Sequence, residues 1–248
     1  MGGDAVDRHD AGRILANAPA RGRRAREPRR AGTMNLDRCG FSAVVSSLSI
    51  DAANEARGAA PHHAGGVLWL TGLSGAGKTT LADALAQRLR ERHGQAMVLD
   101  GDRLRAGLNR DLGFTEQDRF ENVRRIAEVA AVASGSGVVA IVAVISPLAA
   151  MRDAARSIVG TAFREVYVST PLASCEARDP KGLYAKARRG VLPGFTGVSS
   201  PYEPPVDADL VIDTDRASLA ACVDTLARFA CAQFGCPADV RPEQARRD

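Results

Sequence analysis

The run Gly72-Leu73-Ser74-Gly75-Ala76-Gly77-Lys78-Thr79-Thr80 has the residue types and spacing to hold a triphosphate. It fits G-x-x-x-x-G-K-[ST], in which main-chain N–H groups wrap phosphate oxygens and the lysine reaches the β- and γ-phosphates. Thr79, directly after that lysine, supplies the hydroxyl that ligates Mg²⁺ in such loops. Gly72, Gly75 and Gly77 lack a Cβ, so phosphate can touch the backbone there.

Other reactive groups fall at the ends of predicted strands. Asp100-Gly101-Asp102 closes one apolar run and Ser146-Pro147 closes another. In open α/β sheets ligands bind beyond the carboxyl ends of the strands, where all three segments would meet. The two carboxylates could position Mg²⁺ or accept a proton from an attacking hydroxyl. Downstream stand Arg103, Arg105, Arg110, Arg119, Arg124 and Arg125. At helical spacing most of these form a solvated face, and two or three suit a second anionic substrate, gripped through guanidinium forks. Phe114 among them reads either as a platform for a base or as a core plug anchoring its turn. Val191 to Pro205 is rich in Gly, Ser and Pro, too long for a simple connection, and carries Phe195 and Tyr202; it reads as a lid.

These groups need a frame. Val67–Leu70 is a short apolar strand, followed after the loop by a helix with Leu81, Leu85 and Leu89 on one face and Gly94 as its stop. Ala96–Leu99, Val138–Ile145, Val166–Val168 and Leu210–Ile212 read as further strands, and Thr115–Ser134 and Ser218–Phe234 as helices. Strands alternating with helices predict an α/β fold: a doubly wound, mostly parallel sheet of P-loop NTPase type, with helices on both faces and a lid segment.

The composition agrees. Of 248 residues 45% are hydrophobic and 25% charged, as in one globular domain, and no apolar run approaches a membrane span. The net charge of +4 is mild, and much of the basic excess lies ahead of residue 31, so it says little about nucleic acid and suits an anionic small-molecule substrate equally well. The five cysteines (Cys39, Cys175, Cys222, Cys231, Cys236) lack metal-binding spacing and suit free thiols in a reducing cytosol. Residues 1–60 read as a disordered Arg/Ala-rich extension in which Met34 is a second candidate start; 61–236 form the catalytic domain and 237–248 a flexible tail.

Beyond these readings the chain resembles the adenylylsulfate kinases, through Leu70–Thr80, Leu99–Asp102, Gly107-Leu108-Asn109-Arg110-Asp111-Leu112-Gly113-Phe114, Glu121–Ala130, Ile145-Ser146-Pro147, Arg178-Asp179-Pro180-Lys181-Gly182-Leu183-Tyr184 and Gly194–Glu203. The resemblance implies transfer of the γ-phosphoryl of Mg·ATP to the 3′-hydroxyl of adenosine 5′-phosphosulfate, a step of sulfate assimilation. It implies that Gly72 to Thr80 hold ATP and that Lys78, Asp102 and Ser146 are the catalytic residues. Asp100, Asp102 and Arg105 would face the acceptor, with Phe114 and Phe195 pinching its adenine. Arg119 and Asn122 would bind its phosphosulfate and ribose, and Ile145, Ser146 and Lys181 would line the same site. Ser146 stands where the family has a serine described as a phosphoserine intermediate; direct in-line attack needs only positioning and charge neutralisation, which leaves Ser146 as a hydrogen-bonding wall. A cytoplasmic location is implied, with a homodimer and an ATP sulfurylase as partners and neither nucleic acid nor membrane. The chain departs from the family pattern at Leu148-Ala149-Ala150, where an aromatic residue and an arginine usually follow Ser-Pro, and at Arg103, Ala106 and Phe120. Three rival readings are a small-metabolite kinase of the same sheet type, a nucleotide-binding regulator without turnover, and a nucleic-acid binder acting through the basic tail.

Overall fold

Strand β1 (Gly66–Thr71) is buried along its whole length because it runs through the middle of the sheet. The computed structural model describes residues 65–92 and 94–235; the extension with Met34, Cys39, Cys236 and the tail lie outside the described residues. Around β1 the order is β2-β3-β1-β4-β5, with β2 Ala96–Asp100, β3 Val139–Ala143, β4 Phe163–Val168 and β5 Leu210–Ile212. All four pairings are parallel, so every strand delivers its carboxyl end to one rim. From β1 the chain leaves toward β2, from β4 toward β5, and this divergence opens a crevice at the rim.

Side chains alternate along β1 and divide the core in two. Leu68 and Leu70 pack with Leu81, Leu85 and Leu89 of α1 (Lys78–Glu91) and with Val223, Leu226 and Phe234 of α7 (Leu219–Phe234). Val67 and Trp69 face the other way, against Val123, Ile126 and Ala130 of α3 (Glu116–Gly135) and Met151 and Ala155 of α4 (Ala149–Val159). Each fully buried side chain of this size contributes about 1.5–3 kcal/mol, so the two layers hold the rim rigid.

Helix ends follow local chemistry. A capping box between Thr115 and Asp118 starts α3, Ser218 caps α7, and Gly235 ends it at φ 68°. Gly94 stops α1 as expected, its N–H bonding Leu89 O. One expectation is corrected: the apolar run Val138–Ile145 is a strand only over Val139–Ala143. Val144 still donates to Leu70 O, but at Ser146 the chain turns with φ 38°. The structure adds α2 (Gly101–Arg105), α4, α5 (Leu172–Arg178) and α6 (Leu183–Arg188). Residues 191–205 carry no helix or strand, only a bridge between Thr196 and Ser200. Among the described residues no helix is long and apolar enough to cross a membrane, and Cys175, Cys222 and Cys231 are free thiols.

Candidate active site

The phosphate loop joins β1 to α1, so the amino end of α1, with its unpaired N–H groups, opens onto the rim. Gly77 enters the helix at φ 99°, a left-handed conformation that favours glycine. Lys78 is buried, and its Nζ donates to Gly72 O (2.9 Å) and Leu73 O (2.8 Å). Burial pushes its pKa down to about 8, against the pull of Cys175, Asp102 and Asp100. The loop is braced from behind. Tyr184 Oη donates to Ser74 O (2.9 Å), and the hydroxyls of Thr170 and Thr214 donate to Ala76 O (3.1 and 2.9 Å). Arg178 in turn holds Thr214 through its side-chain and main-chain oxygens.

Two carboxylates of the same type have different fates. Asp100 is 4% exposed; its Oδ1 accepts the N–H groups of Asp102 and Arg103, capping α2, and its Oδ2 accepts the Thr79 hydroxyl at 2.7 Å. The Thr79 bond places it beside the phosphate loop. Asp102, with a side chain 71% exposed, faces the rim and pairs with Lys181. Thr79 Oγ1 and Asp100 Oδ2 are hard oxygens at the loop mouth, a donor set that fits Mg²⁺ completed by phosphate oxygens and water. No group of three or more His, Cys, Asp or Glu among the described residues could hold a metal unaided.

Across the rim stands the wall expected to bind the acceptor. Phe114 is 69% exposed, which rules out the core-plug reading, and the Arg105 guanidinium lies 4.4 Å from its ring centroid. Arg105 also donates to Leu112 O and Gly113 O; burial lowers its pKa, and nearby Arg119 adds to this. Arg119 donates to Phe114 O (3.0 Å), to Thr196 Oγ1 (2.7 Å) and to Gly194 O (2.5 Å). One guanidinium thus ties the Phe114 loop to the lid on either side of Phe195. Phe195 is 9% exposed and meets the ring of Tyr184 edge-on at 5.0 Å. Tyr184 therefore joins the lid phenyl to the phosphate loop. Asn122 is buried, its Oδ1 accepting from Asn109 Nδ2 at 3.0 Å, while Asn109 Oδ1 has no partner. Thr71 Oγ1 donates to Ile145 O (2.7 Å), and Trp69 Nε1 to Ser146 Oγ (3.1 Å).

Sequence reasoning missed Asn109, Tyr184, Trp69 and the pair Thr170/Thr214. Asn109 lay inside a quoted motif, yet nothing in its spacing shows that it would fix the amide of Asn122. The threonines come from separate strand ends and meet only in the folded chain.

Comparison with known proteins agrees with this geometry. The family model for adenylylsulphate kinase matches residues 64–213. An adenylyl-sulfate kinase of Paraburkholderia xenovorans is 60% identical over 162 residues, 65% of this chain and 90% of that protein. That of Shewanella amazonensis is 52% identical over 174 residues, 70% and 88% of the two chains. The structure of the Mycobacterium tuberculosis APS kinase CysC in complex with AMPPNP and APS superposes with a TM-score of 0.63 at 46% identity, over 68% of this chain and 96% of that one. The chain belongs to the adenylylsulfate kinase family.

Proposed function

We propose that this protein transfers the γ-phosphoryl group of Mg·ATP to the 3′-hydroxyl of adenylyl sulfate, giving 3′-phosphoadenylyl sulfate and ADP. The observation that supports this reading is the chain of contacts from the phosphate loop to the exposed phenyl ring: Tyr184 on Ser74 O and on the Phe195 ring, and Arg119 joining Gly194 and Thr196 to Phe114 O. In the reaction the 3′-oxygen forms a bond to the γ-phosphorus as the bond to the ADP oxygen breaks. Asp102, the exposed carboxylate at the rim, orients the hydroxyl and takes its proton. Lys78 exchanges the carbonyls of Gly72 and Leu73 for phosphate oxygens and stabilises charge on the transferring group. Gly72 to Thr80 hold the triphosphate, and Thr79 and Asp100 are the groups that hold Mg²⁺, which offsets phosphate charge.

On the acceptor side, Phe114 and Phe195 pinch the adenine, Arg105 and Arg119 grip the phosphosulfate, Asn122 holds the ribose, and Ile145, Ser146 and Lys181 complete the wall. We place the reaction in the cytoplasm, where ATP is supplied. Its acceptor must come from a reaction that adenylylates sulfate, that of an ATP sulfurylase. A homodimer is part of this reading; a hexameric APS kinase of Thiobacillus denitrificans, 31% identical with a TM-score of 0.52, matches over 29% of its own length. Neither nucleic acid nor a membrane takes part.

Mixing the purified chain with Mg·ATP and adenylyl sulfate, then separating nucleotides by chromatography, tests the reaction. Equimolar ADP and 3′-phosphoadenylyl sulfate are expected. ATP consumption only with another acceptor, or binding of both nucleotides without product, overturns it in favour of a small-metabolite kinase or a regulator.

A further inference from the structure

The corner between β3 and α4 is held more firmly than a passive wall requires. Ser146, at φ 38°, is the one non-glycine among the described residues in the left-handed range, a strained conformation that persists only where its surroundings impose it. Here they do. Arg152 Nη1 donates to Ser146 O (3.0 Å), Thr71 Oγ1 to Ile145 O (2.7 Å), and Glu203 N–H to Pro147 O (2.8 Å). Glu203 Oε2 also accepts from Ala149 N at 2.6 Å, so the end of the lid is fastened to the same corner.

Arg152 is itself buried. Its Nε forms an ion pair with Glu165 Oε1 of β4 at 2.7 Å, and Arg156 reaches Glu165 Oε2 at 3.2 Å. A buried ion pair is seldom better for stability than apolar residues of the same volume. What this one adds is a forked cation with one arm on Glu165 and the other on the Ser146 carbonyl. The bond from Trp69 also has a direction: an indole N–H only donates, so it occupies a lone pair of Ser146 Oγ and leaves the hydroxyl hydrogen to point elsewhere.

We propose that Arg152 and Glu165 are positioning residues for the acceptor, fixing Ser146 so that its hydroxyl, oriented by Trp69, donates to an anionic oxygen of adenylyl sulfate. This rests on the proposed reaction and adds to it a reason for the buried pair. It also gives the Ser146 hydroxyl hydrogen a defined task, donation to the acceptor, while Trp69 occupies one of the two lone pairs of its oxygen.

Trp69 is the only tryptophan of the chain, so its emission reads the contact with Ser146 directly. With the full-length protein and no ATP, titration with adenylyl sulfate should shift that emission. The paired variant Arg152→Met, Glu165→Met removes both charges together and so avoids an orphaned ion. Its free-state emission should already differ from wild type. Its KM for adenylyl sulfate should rise at least about fivefold, the order of one lost hydrogen bond, with KM for ATP within about twofold of wild type. Arg152→Lys keeps the cation beside Glu165 but lacks the fork, and should fall between; it carries the comparison if the paired variant does not fold. An acceptor KM at the wild-type value in both variants, equal rises in both KM values, or a wild-type emission unmoved by saturating acceptor overturns the proposal. The emission titration needs no turnover, so failure of the proposed reaction is distinguishable from failure of this inference.

Discussion

The two halves of the cleft are built in opposite ways. The phosphate side is one contiguous run, Gly72 to Thr80, shaped by glycines and aimed by a single helix. The side we propose for the acceptor gathers Asp102, Arg105, Phe114, Arg119, Asn122, Ser146, Lys181 and Phe195 from turns, helices and lid. Phosphate is read by main-chain N–H groups, which only a local backbone shape can converge. A base and an anionic ester are read by side chains, and a fold can bring those from anywhere. The first half should therefore govern the chemical step and the second the affinity for acceptor.

The most severe test of that division is Lys78→Ala. Turnover should fall at least about a hundredfold, the order expected for one lost electrostatic donor, in a steady-state assay of ADP release. Near-normal turnover would break the comparison on its phosphate side. Phe114→Ala should come next, raising KM for adenylyl sulfate roughly tenfold, since base stacking contributes about 1–3 kcal/mol. An equal rise in KM for ATP would show that the halves do not act separately. Asn109→Ala leaves Asn122 Oδ1 without its donor, and should lower stability by about 1 kcal/mol in urea unfolding while raising acceptor KM a few-fold.

The smallest effect is a proton. Burial lowers the Lys78 pKa to about 8 in the folded chain, whereas the unfolded chain keeps the proton to the ordinary lysine value of 10.5. Between those values the unfolded state binds more protons, so this group's contribution to stability rises with pH; below about 8 its full cost is present. Phosphate beside the amine restores the charge, so ATP binding about one unit above the folded pKa should take up a fraction of a proton, seen by calorimetry in buffers of different ionisation enthalpy. Lys78→Met should abolish that uptake, and uptake surviving in the variant would assign the proton to another group.

The same contrast explains what the sequence could disclose. The phosphate loop, the strand before it and the helix after it were legible because their signal is local and periodic. The helices read from Thr115 and from Ser218 are there, and in the folded chain both residues turn out to be their N-caps. Val138–Ile145 misled, because an apolar run does not record where a strand leaves its sheet; the bonds from Arg152 and Glu203 make that corner. Helix α4, with Met151, Arg152 and Ala155 on its buried face, went unread although its sequence is amphipathic. Asp100 and Asp102 look alike on paper, and only the cap of α2 separates the buried one from the open one. Phe114 could not be assigned by spacing, since exposure is a property of what fails to cover it.

Arg119 has a further consequence. Three of its five N–H donors, on Phe114 O, Thr196 Oγ1 and Gly194 O, form a latch between the loop and the lid. If the same guanidinium grips the arriving sulfate ester, recognition and opening draw on one cation. A visitor lacking that charge has nothing to exchange for the latch, so the door itself tells adenylyl sulfate from uncharged adenosine before either reaches the phosphate it would receive.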